Sequence, residues 1–137
     1  MFNWTDNYSL GVASIDEQHQ RLVAMGKELQ ELVETREGDD IYDELISMLD
    51  GLKEYTIYHF DYEEEIMERL GFDGLEEHKK QHSDFIDKLE NIDFDSVDED
   101  QSTFAKDLLR VVSVWIFKHI VGTDAKYKTA FADAGIQ

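Results

Sequence analysis

Residues 75–90 read LEEHKKQHSDFIDKLE. Leu75, His78, His82, Phe85 and Leu89 recur at alternating steps of three and four. That period places all five on one face of an α-helix, and the i,i+4 spacing of His78 and His82 stacks the two imidazoles one above the other. A core-facing stripe with two histidines in it is the reading from which the rest of the chain follows.

Working outward, the same period continues on both sides. Upstream, a helix opening near Asp39 or Asp40 carries Leu45, Met48, Leu52, Tyr55, His59, Glu63, Ile66 and Leu70, with Gly71 as its stop. Before it, Ser14-x-x-Glu17 reads as a capping box. The helix it opens carries Ile15, His19, Leu22, Gly26, Leu29 and Val33 and ends near Gly38. Downstream, a fourth helix from about Ser102 to Val121 carries Phe104, Leu108, Val111, Trp115 and His119. Residues 111–117, VVSVWIF, have a strand-like composition, but their place in that stripe makes them helical. The acidic stretch Asn91–Gln101 reads as a solvated loop, because that charge resists burial. An N-terminal arm, Met1 to about Ala13, brings Phe2, Trp4, Tyr8 and Leu10 to cover one end of the core, Trp4 by packing. A tail with Tyr127 and Phe131 adds a short fifth helix. The expected fold is all-α: an up-down-up-down four-helix bundle with an N-terminal arm and a short C-terminal tail or helix, forming one domain over residues 1–137.

Composition removes whole classes of function. The 137 residues hold 13 basic and 32 acidic side chains, a formal net charge of −19. Phosphate backbones and anionic lipid surfaces repel such a chain, so no nucleic acid and no membrane is expected as a partner. Cysteine is absent, which excludes disulfides, thiolate nucleophiles and iron–sulfur clusters. Proline is absent too, which suits long uninterrupted helices. The opening residues, MFNWTDNYSL, lack the basic and apolar regions of a signal peptide, so the expected location is cytoplasmic. Protein partners are not legible.

All five histidines fall on faces that point into the bundle: His19, His59, His78, His82 and His119. One buried histidine is ordinarily a hydrogen-bonded core residue. Five would each need a partner in a core with few other polar groups, and a shared metal site satisfies them together. His59 and Glu63 form a second i,i+4 pair. Within the run Glu63–Glu65, only Glu63 stacks on that histidine, and Glu64 and Glu65 read as solvated. Asp16 reads as helix-dipole compensation in a first turn. Asp124 follows His119 at i+5, about 140° away in an ideal helix. For the two to share a face, a helix end or a π-type widening is needed there, which Gly122 would ease. Nitrogen and oxygen ligands without sulfur suit iron, manganese, zinc, nickel or copper. Five imidazoles, two bridging carboxylates and one bridging oxo or hydroxo group fill all but one position of two octahedral ions. That leaves room for one small ligand.

The ordered set His19, His59-x3-Glu63, His78-x3-His82, His119-x4-Asp124 resembles the ligand signature of the hemerythrin family. The flanks are similar to its bacterial branch: Trp4 and Gly11 leading into Ile15-Asp16-Glu17-Gln18-His19, then His59-Phe60, then Trp115-Ile116 before His119-Ile120. The resemblance covers nearly the whole chain. It implies a non-haem centre of two iron ions (Fe2+/Fe3+) with an oxo or hydroxo bridge. One iron would be held by His78, His82 and His119, the other by His19 and His59, with Glu63 and Asp124 bridging. It implies reversible dioxygen binding at the iron of His19 and His59, hence an oxygen carrier, storage or delivery protein and not an enzyme. Oxygen sensing, nitric oxide or peroxide detoxification, or ferroxidase-type chemistry at the same centre are the alternatives. Ferritin-like enzymes use Glu-x-x-His pairs, and none occurs here. Trp115, Ile116 and Ile120, which flank His119, are the expected lining of the dioxygen pocket.

Overall fold

The computed structural model describes residues 3–36, 38–93, 97 and 99–136. Four long helices carry the fold: α1 (Ala13–Thr35), α2 (Tyr42–Leu70), α3 (Leu75–Glu90) and α4 (Gln101–Lys118). A 3-10 turn, Asp6–Tyr8, precedes α1. After α4 come a π-helical turn (His119–Thr123), a 3-10 turn (Asp124–Tyr127) and α5 (Lys128–Asp133). Among the described residues there is no strand, and residues 111–117 lie inside α4. α1 packs against α2 and α4, and α2 against α3, which closes an up-down-up-down bundle. Among the described residues, no helix is long and apolar enough to cross a membrane.

Local chemistry sets the helix ends. Gly71 takes a left-handed φ of 64° after α2, and the Phe72 N–H donates back to the Met67 carbonyl at 3.0 Å. Asp100 caps α4 by accepting from the Thr103 N–H at 3.1 Å. The start of α1 differs from the capping-box expectation. The helix begins at Ala13 behind Val12, without a side-chain cap, and the Ser14 hydroxyl accepts instead from Tyr62 at 2.7 Å. Asp16, beyond its place in the first turn, accepts from the Leu10 N–H at 2.8 Å and from the Ser9 hydroxyl, and so ties down the arm. On that arm Trp4 meets Tyr8, and Tyr8 meets Phe117, as packing predicts. Phe2 lies outside the described residues.

Two expectations about burial need correction. The α4 stripe is rotated: Ala105, Leu108, Leu109, Val112 and Ile116 are buried, whereas Val111 is 41% exposed and Phe104 and Trp115 are half-buried. The sequence stripe follows one margin of a wider buried face, because a helix in a bundle touches neighbours on both sides. The stretch 91–101 is not wholly solvated either. Val97 is helical and fully buried in the main core, so one apolar side chain anchors that acidic segment.

The core is split. One apolar cluster includes Leu22, Phe60, Phe85, Leu108, Val112, Ile116 and Ile120. A second holds Leu10, Val12, Ile15, Met67, Tyr127 and Phe131. Each fully buried side chain there contributes about 1.5–3 kcal/mol. Along α1 the order is Ile15, His19, Leu22; along α2 it is Phe60, Glu63, Met67. The histidine layer therefore lies between two apolar layers.

Candidate metal centre

That layer is dry. His19, Glu63 and Asp124 are 0% exposed, His59 is 1%, His78 and His82 are 2%, and His119 is 4%. α1 supplies His19, α2 His59 and Glu63, α3 His78 and His82, and the π turn directly after α4 His119. Asp124 reaches the layer because the backbone widens. Its N–H donates to the His119 carbonyl, an i→i+5 bond that closes the π turn. Gly122 is not what permits this. It has no left-handed φ, and a Cβ there would meet nothing within 4 Å.

The seven side chains fall into two groups that share both carboxylates. Glu63, His78, His82, His119 and Asp124 form one; His19, His59, Glu63 and Asp124 form the other, with candidate ligand atoms within 4.8 Å of one another in each. Asp124 spans the two. Its Oδ1 lies 2.6 Å from His78 Nε2 and 2.9 Å from His119 Nε2, and its Oδ2 lies 3.1 Å from His19 Nε2. Glu63 Oε1 lies 2.6 Å from His59 Nε2 and 4.0 Å from the Nε2 of both His19 and His82.

Outer partners orient the rings. His59 Nδ1–H donates to Gln18 Oε1 at 2.6 Å, His82 Nδ1–H to Glu64 Oε2 at 3.1 Å, and His119 Nδ1–H to Gln81 Oε1 at 3.2 Å. An oxygen acceptor at Nδ1 holds the proton there and frees the Nε2 lone pair for a cation. His82 Nε2 and His119 Nε2 then face each other at 3.0 Å, two lone pairs that repel unless a cation lies beside them. Among the described residues, Glu63 Oε1, Asp124 Oδ2 and both nitrogens of His19 are buried without a partner in hydrogen-bond geometry, for all that Glu63 Oε1 lies close to His59 and Asp124 Oδ2 close to His19. Orphans of this kind are costly in a core. A cation satisfies the three that face the cluster, so the residues fit a metal pair.

Electrostatics agree with that fit. Burial alone would push the Asp124 carboxyl up, but His119, His19 and His78 outweigh it and hold that carboxyl well below the usual range. Burial and Asp124 push Glu63 up, but His59 and His19 leave the net direction down. Burial pushes His82 down, against the pull of Glu64. Tyr127, buried beside Glu63 and Asp124, is held well above an ordinary phenol.

Aromatic rings wall the three-histidine group. Phe60 stacks on His82 at 3.7 Å and 1°, and Trp115 stacks on His119 at 4.4 Å and 12°. Trp115 also lines a surface cleft of about 300 Å³ with Gln81, Lys88 and His119. Trp115, expected to line the pocket beside His19 and His59, stacks instead on a histidine of the other group. Ile116 and Ile120 are both 2% exposed in the main core.

Sequence reasoning missed four polar neighbours. Glu64 is not simply solvated: its side chain is 21% exposed and holds His82. Gln18, Gln81 and Tyr127 were passed over. A signal existed for three of them. Gln18 precedes His19, Glu64 follows Glu63 and Gln81 precedes His82. A step of one residue turns a side chain by about 100°, out of its own stripe and towards the next helix. Each therefore holds the histidine of the helix that follows.

The comparisons with known proteins point the same way. The family model described as the hemerythrin HHE cation binding domain matches residues 10–131. A bacteriohemerythrin of Clostridium acetobutylicum is 34% identical over 127 residues, covering 93% of this chain and 98% of that protein. One from Stenotrophomonas maltophilia is 30% identical over 129 residues, covering 90% of this chain and 77% of that protein. A myohemerythrin of Theromyzon tessulatum is 28% identical over 127 residues, covering 93% and 91%. With this match running from the arm to α5 through every member of the buried cluster, the chain belongs to the hemerythrin family.

Proposed function

We propose that this protein binds dioxygen reversibly at a non-haem di-iron centre, as an oxygen carrier, storage or delivery protein and not as an enzyme. The observation that carries the reading is the pair of buried ligand groups sharing Glu63 and Asp124. His78, His82 and His119 would hold one iron, His19 and His59 the other, and the two carboxylates both. When bound, a ferrous pair supplies the electrons that make dioxygen binding possible. The protein's part is to hold and to shield. Gln18, Glu64 and Gln81 keep ring protons on Nδ1. The apolar layers on either side exclude water, and in this reading Ile116 and Ile120 form part of the wall around the small ligand. Five neutral imidazoles against two carboxylates make a site poor in anionic charge, which disfavours onward oxygen activation.

The test is anaerobic reconstitution with ferrous iron, metal analysis, and optical spectra before oxygen, after it and after its removal. The expected result is two irons per chain and a colour that appears and disappears with oxygen. Catalytic consumption of peroxide or nitric oxide without a reversible band would replace this reading by detoxification. One iron per chain would overturn it.

A further inference from the structure

Tyr127 is a buried hydroxyl that the set of seven ligating side chains leaves out. It lies in the 3-10 turn directly after the π turn, three residues beyond Asp124. The residue is 0% exposed, and its hydroxyl donates to Glu63 Oε2. Phe131 stacks on the ring at 4.2 Å and 10°, Phe72 meets it edge-on at 6.5 Å, and the His78 ring lies 5.7 Å away at 27°. Three rings and one hydrogen bond thus hold the phenol in place.

The consequence is a difference between the two shared carboxylates. Both oxygens of Asp124 face imidazole nitrogens. Glu63 turns only Oε1 towards the histidines and accepts the phenol on Oε2. A hydrogen bond drawn to an anionic ligand removes negative charge from it. The ligand then stabilises the more positive, ferric state less than it would alone. The effect is electrostatic and strong in a dry site.

We propose that Tyr127 is a positioning residue: through its hydroxyl on Glu63 it holds one bridging carboxylate and biases the metal pair towards the ferrous state. The proposal rests on the di-iron reading above. No bond to iron is made by Tyr127, and no proton leaves it. In the redox measurement each ferric ion gains one electron from the electrode, through a mediator.

The test compares iron-loaded wild type with Tyr127→Phe by mediated redox titration, with metal content and helix content measured on the same samples. The expected result is two irons in both proteins and a ferric-to-ferrous ratio about tenfold higher in the variant at a fixed potential, or about 59 mV lower per electron. Phe131→Leu is the control. It loosens the ring but keeps the hydroxyl, so its midpoint should stay at the wild-type value while its melting temperature falls. Site-specific 3,5-difluorotyrosine at position 127 gives a stronger donor, should shift the midpoint upward, and decides the matter if the phenylalanine variant does not fold. An unchanged midpoint in either altered Tyr127, an equal shift in Phe131→Leu, or loss of iron from a folded Tyr127→Phe overturns the proposal. Failure of the di-iron reading would show separately, as a wild-type protein that does not take up two irons.

Discussion

The two histidine groups share their carboxylates but are braced differently. In the three-histidine group His82 and His119 are held from outside by Glu64 and Gln81 and covered by Phe60 and Trp115. In the two-histidine group Gln18 holds His59, while among the described residues neither nitrogen of His19 makes a hydrogen bond, its Nε2 facing Asp124 Oδ2 at 3.1 Å. The bracing runs from each helix to the next, α1 to α2, α2 to α3 and α3 to α4, and His19 is where no such bond closes the ring. The group with fewer histidines thus also contains a ring held by burial and by packing against His59 instead of by an outer hydrogen bond.

The comparison breaks most severely if its shared element is removed. Asp124 touches His78, His119 and His19 through two oxygens. Asp124→Ala should therefore lose both irons, since each group loses an anionic ligand and the imidazoles lose the charge that gathers them. Metal analysis after gel filtration reads this directly. A variant that keeps two irons means that Asp124 is not shared.

Removing one histidine at a time separates the groups. His19→Ala should leave about one iron per chain, on the three-histidine side, because that set is complete without α1. His82→Ala should weaken the tighter position and lower the total further. Equal and complete loss from both variants would mean that the two positions fill only together.

A smaller effect tests the bracing. Glu64→Ala should weaken metal binding about 10–100-fold, the usual cost of losing an outer partner of a ligating histidine. Glu65→Ala should leave it unchanged. Glu65 pairs with Arg69 at 2.6 Å on the surface, where a pair is worth about 0–1 kcal/mol. Competition with a chelator distinguishes the two, and equal losses would remove Glu64 from the centre.

Much of this was legible in one sequence because six of the seven clustered side chains, all but Asp124, lie on helical stripes. A strict period forces His59 above Glu63 and His78 above His82, and the i+5 offset of Asp124 forces a wider turn after His119. The outer partners were not legible by the same rule. Gln18, Glu64 and Gln81 lie one step off their own stripes, and what they hold belongs to a different helix, so only the packing of α1 on α2 and α2 on α3 reveals it. Tyr127 escaped for a related reason: its contact with Glu63 joins residues far apart in the chain. The tilt of α4 was misjudged because Val111 and Ile116 are equally apolar. Hydrophobicity alone cannot choose which margin of a wide apolar face is the exposed one.

The smallest expected effect concerns the turn that carries Asp124 into both groups. Two glycines invite comparison. Gly71 has a φ of 64°, so alanine there is strained whatever the available space. Gly122 lies in the π turn without a left-handed φ, and an added methyl would touch nothing within 4 Å. What makes the turn is the hydrogen bond from the Asp124 N–H to the His119 carbonyl, not the absence of a side chain. Alanine at 122 should keep both irons and gain about 0.4–1 kcal/mol by restricting the unfolded chain. Gly71→Ala should be destabilising instead. Melting temperatures of the apo proteins, with metal content measured after loading, decide the point. If Gly122→Ala loses iron while Gly71→Ala keeps it, the widened turn depends on glycine after all, and the freedom at residue 122 is part of how Asp124 reaches the metal layer.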